Sequence, residues 1–231
     1  MPPSDPEPSP QRTVADGYDV IAERYQAWSG ARPSPARRTA LAMALAAIPS
    51  GAEVLELGCG AGLPMTAALA EGRDVTGLDI SAAQIALATR DVPAARFLQA
   101  DLITYDRPPA SIDGVVAFYV LTHVPRTELA PLLGRIARWL RPGGVFFAAF
   151  GVEDDPGGVE EYLGVPMYFS QYSARVNRRL VGEAGLVVEH AEVLVEPEDR
   201  ASARFLWVLA RKASAEESVV SRRPGRGDRT R

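Results

Sequence analysis

The sequence contains one cysteine, Cys59, and two histidines among its 231 residues. A single cysteine excludes an intramolecular disulfide, and no Cys/His metal cluster can be assembled from so few ligands. The chemistry should therefore be metal-free or rely on a carboxylate-bound metal, and we assign no metal ligand.

Long apolar runs are also missing. No segment is apolar for long enough to cross a bilayer, and no basic stretch followed by an apolar stretch begins the chain. The formal net charge is −4, and residues 211–231 contribute +4 (seven basic, three acidic), so residues 1–210 carry −8. An acidic body lacks the basic groove that a phosphate backbone requires. We predict a cytoplasmic protein with no nucleic-acid partner and no membrane partner.

One folded domain with disordered termini is expected, because 231 residues with 47% hydrophobic content can bury one sizeable core. The first ten residues hold five prolines, and neither end of the chain offers enough apolar surface to offset its ordering entropy. We predict a disordered tail at 1–12, one domain at 13–212 and a disordered basic tail at 213–231.

Short apolar runs alternate with helical patterns, which is typical of a parallel sheet covered by helices on both faces. Strands are predicted at 53–58, 73–79, 95–99, 112–120 and 143–150, and helices at 18–28, 35–48, 173–185 and from Pro125 to the sequence RPGG. Two late strands, LVVEHAEVLVE and ARFLWVLARK, have only PEDRAS between them, so they must pair antiparallel. The predicted fold is an α/β, Rossmann-like, doubly wound, seven-stranded and mostly parallel sheet with a C-terminal antiparallel hairpin.

The sequence ELGCGAG places Gly58, Gly60 and Gly62 on alternate positions between an apolar strand and a helix. Glycine permits positive φ and close backbone approach, so a ligand can lie on this turn near the helix N-terminus. Asp79 ends the next strand, where a carboxylate can bind both ribose hydroxyls of an adenosine. A nicotinamide-binding loop reads G-x-G-x-x-G, but Leu63 stands where its last glycine is required.

Glu56 precedes the glycine turn, and an antiparallel hairpin ends the predicted sheet. With these features the sequence resembles the class I S-adenosylmethionine-dependent methyltransferases over roughly residues 15–211. Further motifs follow in the family's order, namely Asp79 with Ile80, ADL, FYVLTHV and LRPGG. The likeness is greatest to the small-molecule methyltransferases. The resemblance implies S-adenosyl-L-methionine as the cofactor, held by Tyr25, Glu56, Gly58, Cys59, Gly60, Gly62, Asp79, Ile80, Asp101, Leu102 and Tyr119.

The resemblance also implies a role for parts of this set. The acid and the first glycines of the turn line the methionine end of the cofactor, Asp79 binds ribose, and Ile80 packs on adenine. Asp101 and the Leu102 amide meet the adenine edge. Tyr25 lies in a segment similar to the helix that lids the cofactor, where it either approaches the methionine carboxylate or packs without a polar role.

His123 is the candidate general base. It follows the fourth strand, at the sheet edge where ligands of this fold bind, and imidazole titrates near neutral pH. A base is needed if the acceptor is a hydroxyl or an acidic carbon. The alternative is a structural histidine that holds the loop before Pro125. His190, in a late strand, is predicted to be structural.

The segment GVEDDPGGVEEYLGVPMYFSQYS, residues 151–173, is long for a connection inside a compact domain, so we expect a lid loop. Its aromatic residues on an acidic background suit a small, partly apolar acceptor that is cationic or neutral. The motif [DNS]-P-P-[FYW], which resembles that of the enzymes that methylate the amino groups of adenine and glutamine, does not follow the fourth strand. The sequence therefore does not resemble those enzymes at this position.

The function predicted from these features is methyl transfer from S-adenosylmethionine to an O, N or C atom of a small-molecule acceptor. Alanine and arginine dominate the sequence and lysine occurs once, which is associated with GC-rich bacterial genomes and their specialised metabolism. Two other classes stay open: a noncatalytic S-adenosylmethionine-binding protein and a nicotinamide-dependent oxidoreductase.

Overall fold

The computed structural model describes residues 8–30, 34–197 and 202–214. The helices are α1 Pro10–Gly30, α2 Pro35–Ala47, α3 Met65–Ala70, α4 Ala82–Asp91, α5 Arg126–Trp139 and α6 Ala174–Glu183, with a 3-10 turn at Val120–His123. The strands are β1 Glu53–Leu57, β2 Asp74–Asp79, β3 Arg96–Gln99, β4 Ile112–Ala117, β5 Leu140–Phe150, β6 Asp155–Tyr162, β7 Val165–Gln171, β8 Leu186–Pro197 and β9 Ser202–Lys212.

Seven strands form one sheet in the order β3-β2-β1-β4-β5-β9-β8. The pairs β3 with β2, β2 with β1, β1 with β4 and β4 with β5 are parallel. Strand β9 pairs antiparallel with both β5 and β8. This arrangement confirms the predicted α/β sheet and its C-terminal antiparallel hairpin. The residues that connect β8 to β9, 198–201, lie outside the described part of the chain.

Apolar side chains cover both faces of the sheet. On one face, α5 and α6 pack over a core that contains Trp139 and Phe146. On the other, α2 and α3 pack over a core that contains Phe147 and Trp207. The neighbours Phe146 and Phe147 point to opposite faces because side chains alternate along a strand. A central strand buried on both faces also explains the unbroken apolar run after Gly114.

Strands β6 and β7 form a separate two-stranded sheet where the sequence suggested a lid loop. Both turn residues, Leu163 and Gly164, have positive φ, 50° and 79°. Such turns usually carry Asn-Gly or Asp-Gly, so the leucine concealed the hairpin from sequence analysis. The hairpin packs Met167 against Ile21 of α1 and thereby fixes α1 over the sheet edge.

The first helix also starts earlier than expected. Proline suits the first position of a helix, and α1 begins at Pro10, so part of the segment 1–12 predicted as a tail is helical. Residues 1–7 and 215–231, which carry the rest of the tail predictions, lie outside the described residues.

Strand β4 is shorter than the predicted segment 112–120. It ends at Ala117, because Tyr119 adopts a left-handed φ of 65° and a 3-10 turn follows. This change of direction brings the side chains after β4 to the same edge as the glycine turn. Strand β5 begins at Leu140, before the predicted residue 143.

Candidate functional site

A cavity of about 170 Å³ opens at the carboxyl ends of β1 to β4, the edge where open α/β sheets bind ligands. Helix α1, the start of α2, the β6–β7 hairpin and the facing ends of β8 and β9 complete its wall. The residues predicted from sequence that line it are Tyr25, Gly58, Gly60, Asp79, Ile80, Asp101, Leu102, Tyr119 and His123.

The glycine turn brings bare backbone to the cavity. Gly58, Gly60 and Gly62 adopt φ of 65°, 53° and 78°, a region that other residues rarely enter. A Cβ on Gly58 would stand 2.4 Å from the side chain of Val120. Glycine is therefore required for the turn after β1 to pass so close to the 3-10 turn.

Asp79 is held by two backbone amides. Its carboxylate accepts hydrogen bonds from Gly60 N at 2.8 Å and from Ser81 N at 2.9 Å. Burial raises the pKa of Asp79 to about 6, although these amide hydrogen bonds act in the opposite direction. The side chain is thus ionised at neutral pH, fixed in orientation and able to accept hydrogen bonds from a diol.

Three predicted cofactor residues do not line the cavity. Glu56 is 1% exposed and accepts a 2.6 Å hydrogen bond from the hydroxyl of Thr66 in α3. Burial raises the pKa of Glu56 to about 8, so it is protonated at neutral pH. Cys59 is buried, which raises the pKa of its thiol, and Gly62 packs beside Val92. Their contacts with a cofactor stay predictions.

The residues after β2 and β3 form another part of the wall. Ile80, Asp101 and Leu102 face the cavity, as the resemblance implies. The carboxylate of Asp101 accepts a 2.8 Å hydrogen bond from Ile103 N, which fixes its orientation at the end of β3. This wall offers two apolar side chains and one anchored acid.

Gln84 of α4 is a candidate that sequence reasoning missed. Its side chain is 1% exposed and lines the cavity, and neither its amide oxygen nor its amide nitrogen has a hydrogen-bond partner among the described residues. An unpaired buried polar group costs about 1–3 kcal/mol, so this amide indicates a polar ligand. A lone helical glutamine carries no motif that could have revealed it.

His123 is fixed through both ring nitrogens. Nδ1 lies 2.9 Å from the carbonyl oxygen of Tyr168, and Nε2 lies 3.0 Å from the hydroxyl of Tyr18. A carbonyl can only accept, so Nδ1 carries the proton and the Tyr18 hydroxyl donates to Nε2. Burial lowers the pKa of His123 to about 4, so the imidazole is neutral at physiological pH. By contrast, His190 lies on the edge strand β8 beside Glu192.

Tyr18 connects His123 to an aromatic cluster. Its ring centroid lies 5.2 Å from that of Tyr25, which stacks at 5.9 Å on Trp28. Tyr162 of the β6–β7 hairpin lies 6.4 Å from both Tyr25 and Trp28. The cluster forms only where α1 and the hairpin meet, so the sequence of neither segment alone could predict it.

Tyr119 lines the side of the cavity next to β8 and β9. Its hydroxyl donates a 2.6 Å hydrogen bond to Glu196, and its ring lies 4.8 Å from that of Phe205. The guanidinium carbon of Arg37 lies 4.9 Å from the Tyr119 ring centroid. Because its proton is engaged by Glu196, the Tyr119 hydroxyl can only accept a further hydrogen bond.

The cavity fits S-adenosylmethionine in three respects. The glycine turn supplies backbone without side chains, Asp79 supplies an ionised acceptor for ribose hydroxyls, and Gln84 supplies an unpaired amide. In the part of the chain that the structure describes, no cluster of three His, Cys, Asp or Glu side chains suits a metal ion. The helices among these residues are all too short or too polar to cross a membrane.

Comparisons with known proteins agree with this geometry. Residues 54–144 match the family model described as a methyltransferase domain. The chain is 34% identical over 142 residues to the biotin biosynthesis bifunctional protein BioCD of Bordetella avium, which covers 58% of this chain and 29% of that protein. It is 32% identical over 167 residues to the trans-aconitate 2-methyltransferase of Methylobacterium nodulans, which covers 71% of this chain and 57% of that protein.

A solved structure has the same fold. The 1,6-didemethyltoxoflavin-N1-methyltransferase of Burkholderia thailandensis, crystallised with 1,6-didemethyltoxoflavin and S-adenosylhomocysteine, gives a TM-score of 0.64 at 22% identity, over 91% of this chain and 93% of that chain. The chain spans 29% and 57% of the length of the two curated relatives above. Residues 54–144 thus form a methyltransferase domain, and these matches support the resemblance of the chain to the class I S-adenosylmethionine-dependent methyltransferases.

Proposed function

We propose that this protein transfers a methyl group from S-adenosylmethionine to an O, N or C atom of a small-molecule acceptor. The observation that carries the proposal is one continuous cavity. It joins the glycine turn and Asp79 to the aromatic cluster around Tyr18 and to His123. A cofactor subsite and a largely apolar acceptor subsite in one cavity suit a transfer reaction.

The residues of the sheet edge would hold the cofactor, with Asp79 at the ribose and Ile80 at the adenine. When bound, S-adenosylmethionine supplies a methyl group on a positively charged sulfonium, and transfer of that methyl group leaves the sulfur neutral. The protein's contribution is alignment and the exclusion of water. Helix α1 and the β6–β7 hairpin supply both, because they cover the cavity with Tyr25, Trp28 and Tyr162.

A proton can leave the acceptor through Tyr18. Tyr18 lines the cavity and its hydroxyl donates to Nε2 of His123, so this hydroxyl can accept a proton from an acceptor while passing its own to the imidazole. The low pKa of His123 makes a stable imidazolium costly. His123 therefore serves mainly to position Tyr18, and it takes the proton only as methyl transfer proceeds.

The acceptor class is supported by the small volume of the cavity, about 170 Å³, and by the curated relatives, whose names include trans-aconitate 2-methyltransferase. The acidic charge of residues 1–210 favours a small molecule over nucleic acid. A cytoplasmic location and a role in specialised metabolism remain proposals that rest on composition.

The test is methyl incorporation from labelled S-adenosylmethionine into a panel of small hydroxyl, carboxyl, amine and activated-carbon acceptors. Wild-type protein should label at least one. For a hydroxyl or carbon acceptor, Tyr18→Phe and His123→Ala should slow transfer by about 10² or more, with affinity for S-adenosylhomocysteine retained within about twofold. His190→Ala, on β8, is the matched control and should keep full turnover.

Full turnover of both variants with such an acceptor would exclude the Tyr18–His123 route. Tight binding of S-adenosylhomocysteine without transfer to any acceptor class would instead favour the noncatalytic cofactor-binding protein.

A further inference from the structure

Arg135, on α5, holds the backbone of the turn that follows β3. Its Nη2 donates hydrogen bonds to the carbonyl oxygen of Ile103 at 2.6 Å and to that of Leu102 at 3.3 Å. Its Nε is buried without a hydrogen-bond partner among the described residues. Leu102 and Ile103 line the cavity. A partly buried cation therefore holds the main chain of the cavity wall.

The peptide group between Leu102 and Ile103 is fixed at both of its ends. Arg135 binds its carbonyl oxygen, and its N–H donates a 2.8 Å hydrogen bond to Oδ1 of Asp101. A charged donor on the carbonyl polarises the peptide group, which strengthens the hydrogen bond that the N–H donates. The orientation of the Asp101 carboxylate therefore depends on Arg135 through this peptide group.

The same turn leaves one donor and one acceptor free. The amides of Thr104 and Tyr105 donate to the carbonyl oxygen of Asp101 at 3.1 and 2.9 Å. Among the described residues, the Leu102 amide and Oδ2 of Asp101 have no hydrogen-bond partner. Adenine presents the complementary pair, because its amino group donates and its N1 accepts. These free groups agree with the contact to the adenine edge that the family resemblance implies.

Other contacts anchor the rest of this segment to α5. Asp106 accepts hydrogen bonds from Arg138 Nη2 at 2.5 Å and from Trp139 Nε1 at 2.7 Å. The Tyr105 ring also packs edge-on against Trp139, with ring centroids 5.8 Å apart. The segment after Ile103 therefore has its own attachment to the helix, and replacement of Arg135 removes a restraint only from the turn that faces the cavity.

We propose that Arg135 is a positioning residue for the adenine of the cofactor, which acts through the Leu102–Ile103 peptide group on the Asp101 carboxylate and the Leu102 amide. This inference rests on the proposed function, because it concerns recognition of S-adenosylmethionine in the same cavity. Hypoxanthine presents the reverse of adenine, with a donor at N1 and a carbonyl oxygen in place of the amino group. A correctly oriented turn should therefore reject hypoxanthine.

The test compares S-adenosylhomocysteine with S-inosylhomocysteine, which carries hypoxanthine in place of adenine, by calorimetric titration. Wild-type protein should bind the adenine ligand at least about 30-fold more tightly. Arg135→Gln should reduce this ratio to about threefold or less, mainly through weaker binding of S-adenosylhomocysteine. Arg135→Lys keeps a charged donor and should give an intermediate ratio. A general loss of structure would weaken both ligands equally, so the ratio separates positioning from stability.

Arg138→Gln is the matched control. Arg138 lies on the same helix and binds Asp106 of the same segment, but neither residue lines the cavity. This variant should therefore keep the wild-type ratio. Asp101→Asn tests the route, because the double variant Asp101→Asn/Arg135→Gln should discriminate no less than Asp101→Asn alone if Arg135 acts through Asp101.

Four results would overturn the inference: a wild-type ratio below about threefold, an unchanged ratio in Arg135→Gln, an equal loss in Arg138→Gln, or additive losses in the double variant. Failure of wild-type protein to bind S-adenosylhomocysteine would contradict the proposed function itself. The proposed function and the role of Arg135 can therefore fail separately in the same experiment.

Discussion

At the scale of residues, the two buried acidic side chains beside the glycine turn differ in position and in charge. Asp79 lines the cavity and is fixed by two amides, whereas Glu56 lies behind the turn against Thr66. Burial raises the pKa of both, to about 6 for Asp79 and about 8 for Glu56. Near pH 7 the first is therefore ionised and the second is neutral.

Asp79 should make cofactor affinity pH-dependent. Its ionised form, present above its pKa of about 6, is the better acceptor for ribose hydroxyls, so affinity for S-adenosylhomocysteine should fall as pH decreases through that value. His123 stays neutral in this range because its pKa is about 4. Asp79→Asn should lose about 1–3 kcal/mol of binding free energy at pH 7.5 and show a flatter profile. Calorimetry between pH 5 and 7.5 measures both.

Asp74, at the other end of β2, is exposed and paired with Arg96, so Asp74→Asn is the control and should match the wild type. Equal affinity of Asp79→Asn and wild-type protein at pH 7.5 would remove Asp79 from the cofactor site.

Glu56 should govern stability above neutral pH. Its folded pKa of about 8 exceeds the unfolded value of about 4.3, so the folded state retains a proton that the unfolded state has released. The free energy of unfolding should therefore fall as pH rises from 6.5 to 8, by about 1–2 kcal/mol, a range in which Asp79 is already ionised. Urea denaturation at both pH values should show this slope in wild-type protein and its absence in Glu56→Gln.

The same variant tests where Glu56 acts. Because its side chain does not line the cavity, Glu56→Gln should keep the affinity for S-adenosylhomocysteine within about twofold. A large loss would support the role at the methionine end that the family resemblance implies.

At the scale of elements, the packing of α1 on the β6–β7 hairpin closes the cavity. A Cβ on Gly17 would stand 2.8 Å from Met167 Cε and 3.0 Å from Pro166 O, and the second contact involves backbone that cannot rotate away. Gly17→Leu should therefore cost about 1–3 kcal/mol of stability and weaken binding of S-adenosylhomocysteine. Denaturation and calorimetry on the same samples measure the two effects.

A Cβ on Gly134 of α5 would meet no other atom within 4 Å, so Gly134→Leu is the matched control. If Gly17→Leu binds as tightly as this control, α1 does not act as a cover for the cofactor.

The elements differ in how well the sequence predicts them. The strands of the seven-stranded sheet and the helices α1, α2, α5 and α6 follow from apolar periodicity and from the pairing rules for close strands, whereas the short helices α3 and α4 are not predicted. Nor is the β6–β7 hairpin, because its turn uses Leu163 where a typical hairpin has Asn or Asp. The contact of this hairpin with Ile21 of α1 joins segments distant in sequence and depends on three-dimensional packing.

At the scale of the whole molecule, the cavity is built from segments that lie far apart in the sequence. The wall over β1 to β3 contains the sequence motifs, because its glycines and acids lie within one stretch of the chain. The wall beside β4 contains Arg37, Tyr119, Glu196 and Phe205, which come from four separate elements or their connections. Sequence analysis could therefore predict the glycine turn and the acids after β2 and β3, but it could not bring Arg37, Glu196 and Phe205 together.

The central claim is that the cavity binds S-adenosylmethionine, and calorimetric titration with S-adenosylmethionine, S-adenosylhomocysteine and NADH tests it most directly. The account predicts micromolar binding of the first two and no binding of NADH, since Leu63 replaces the glycine that a nicotinamide loop requires. Binding of NADH alone would contradict the assignment of the glycine turn and of Asp79.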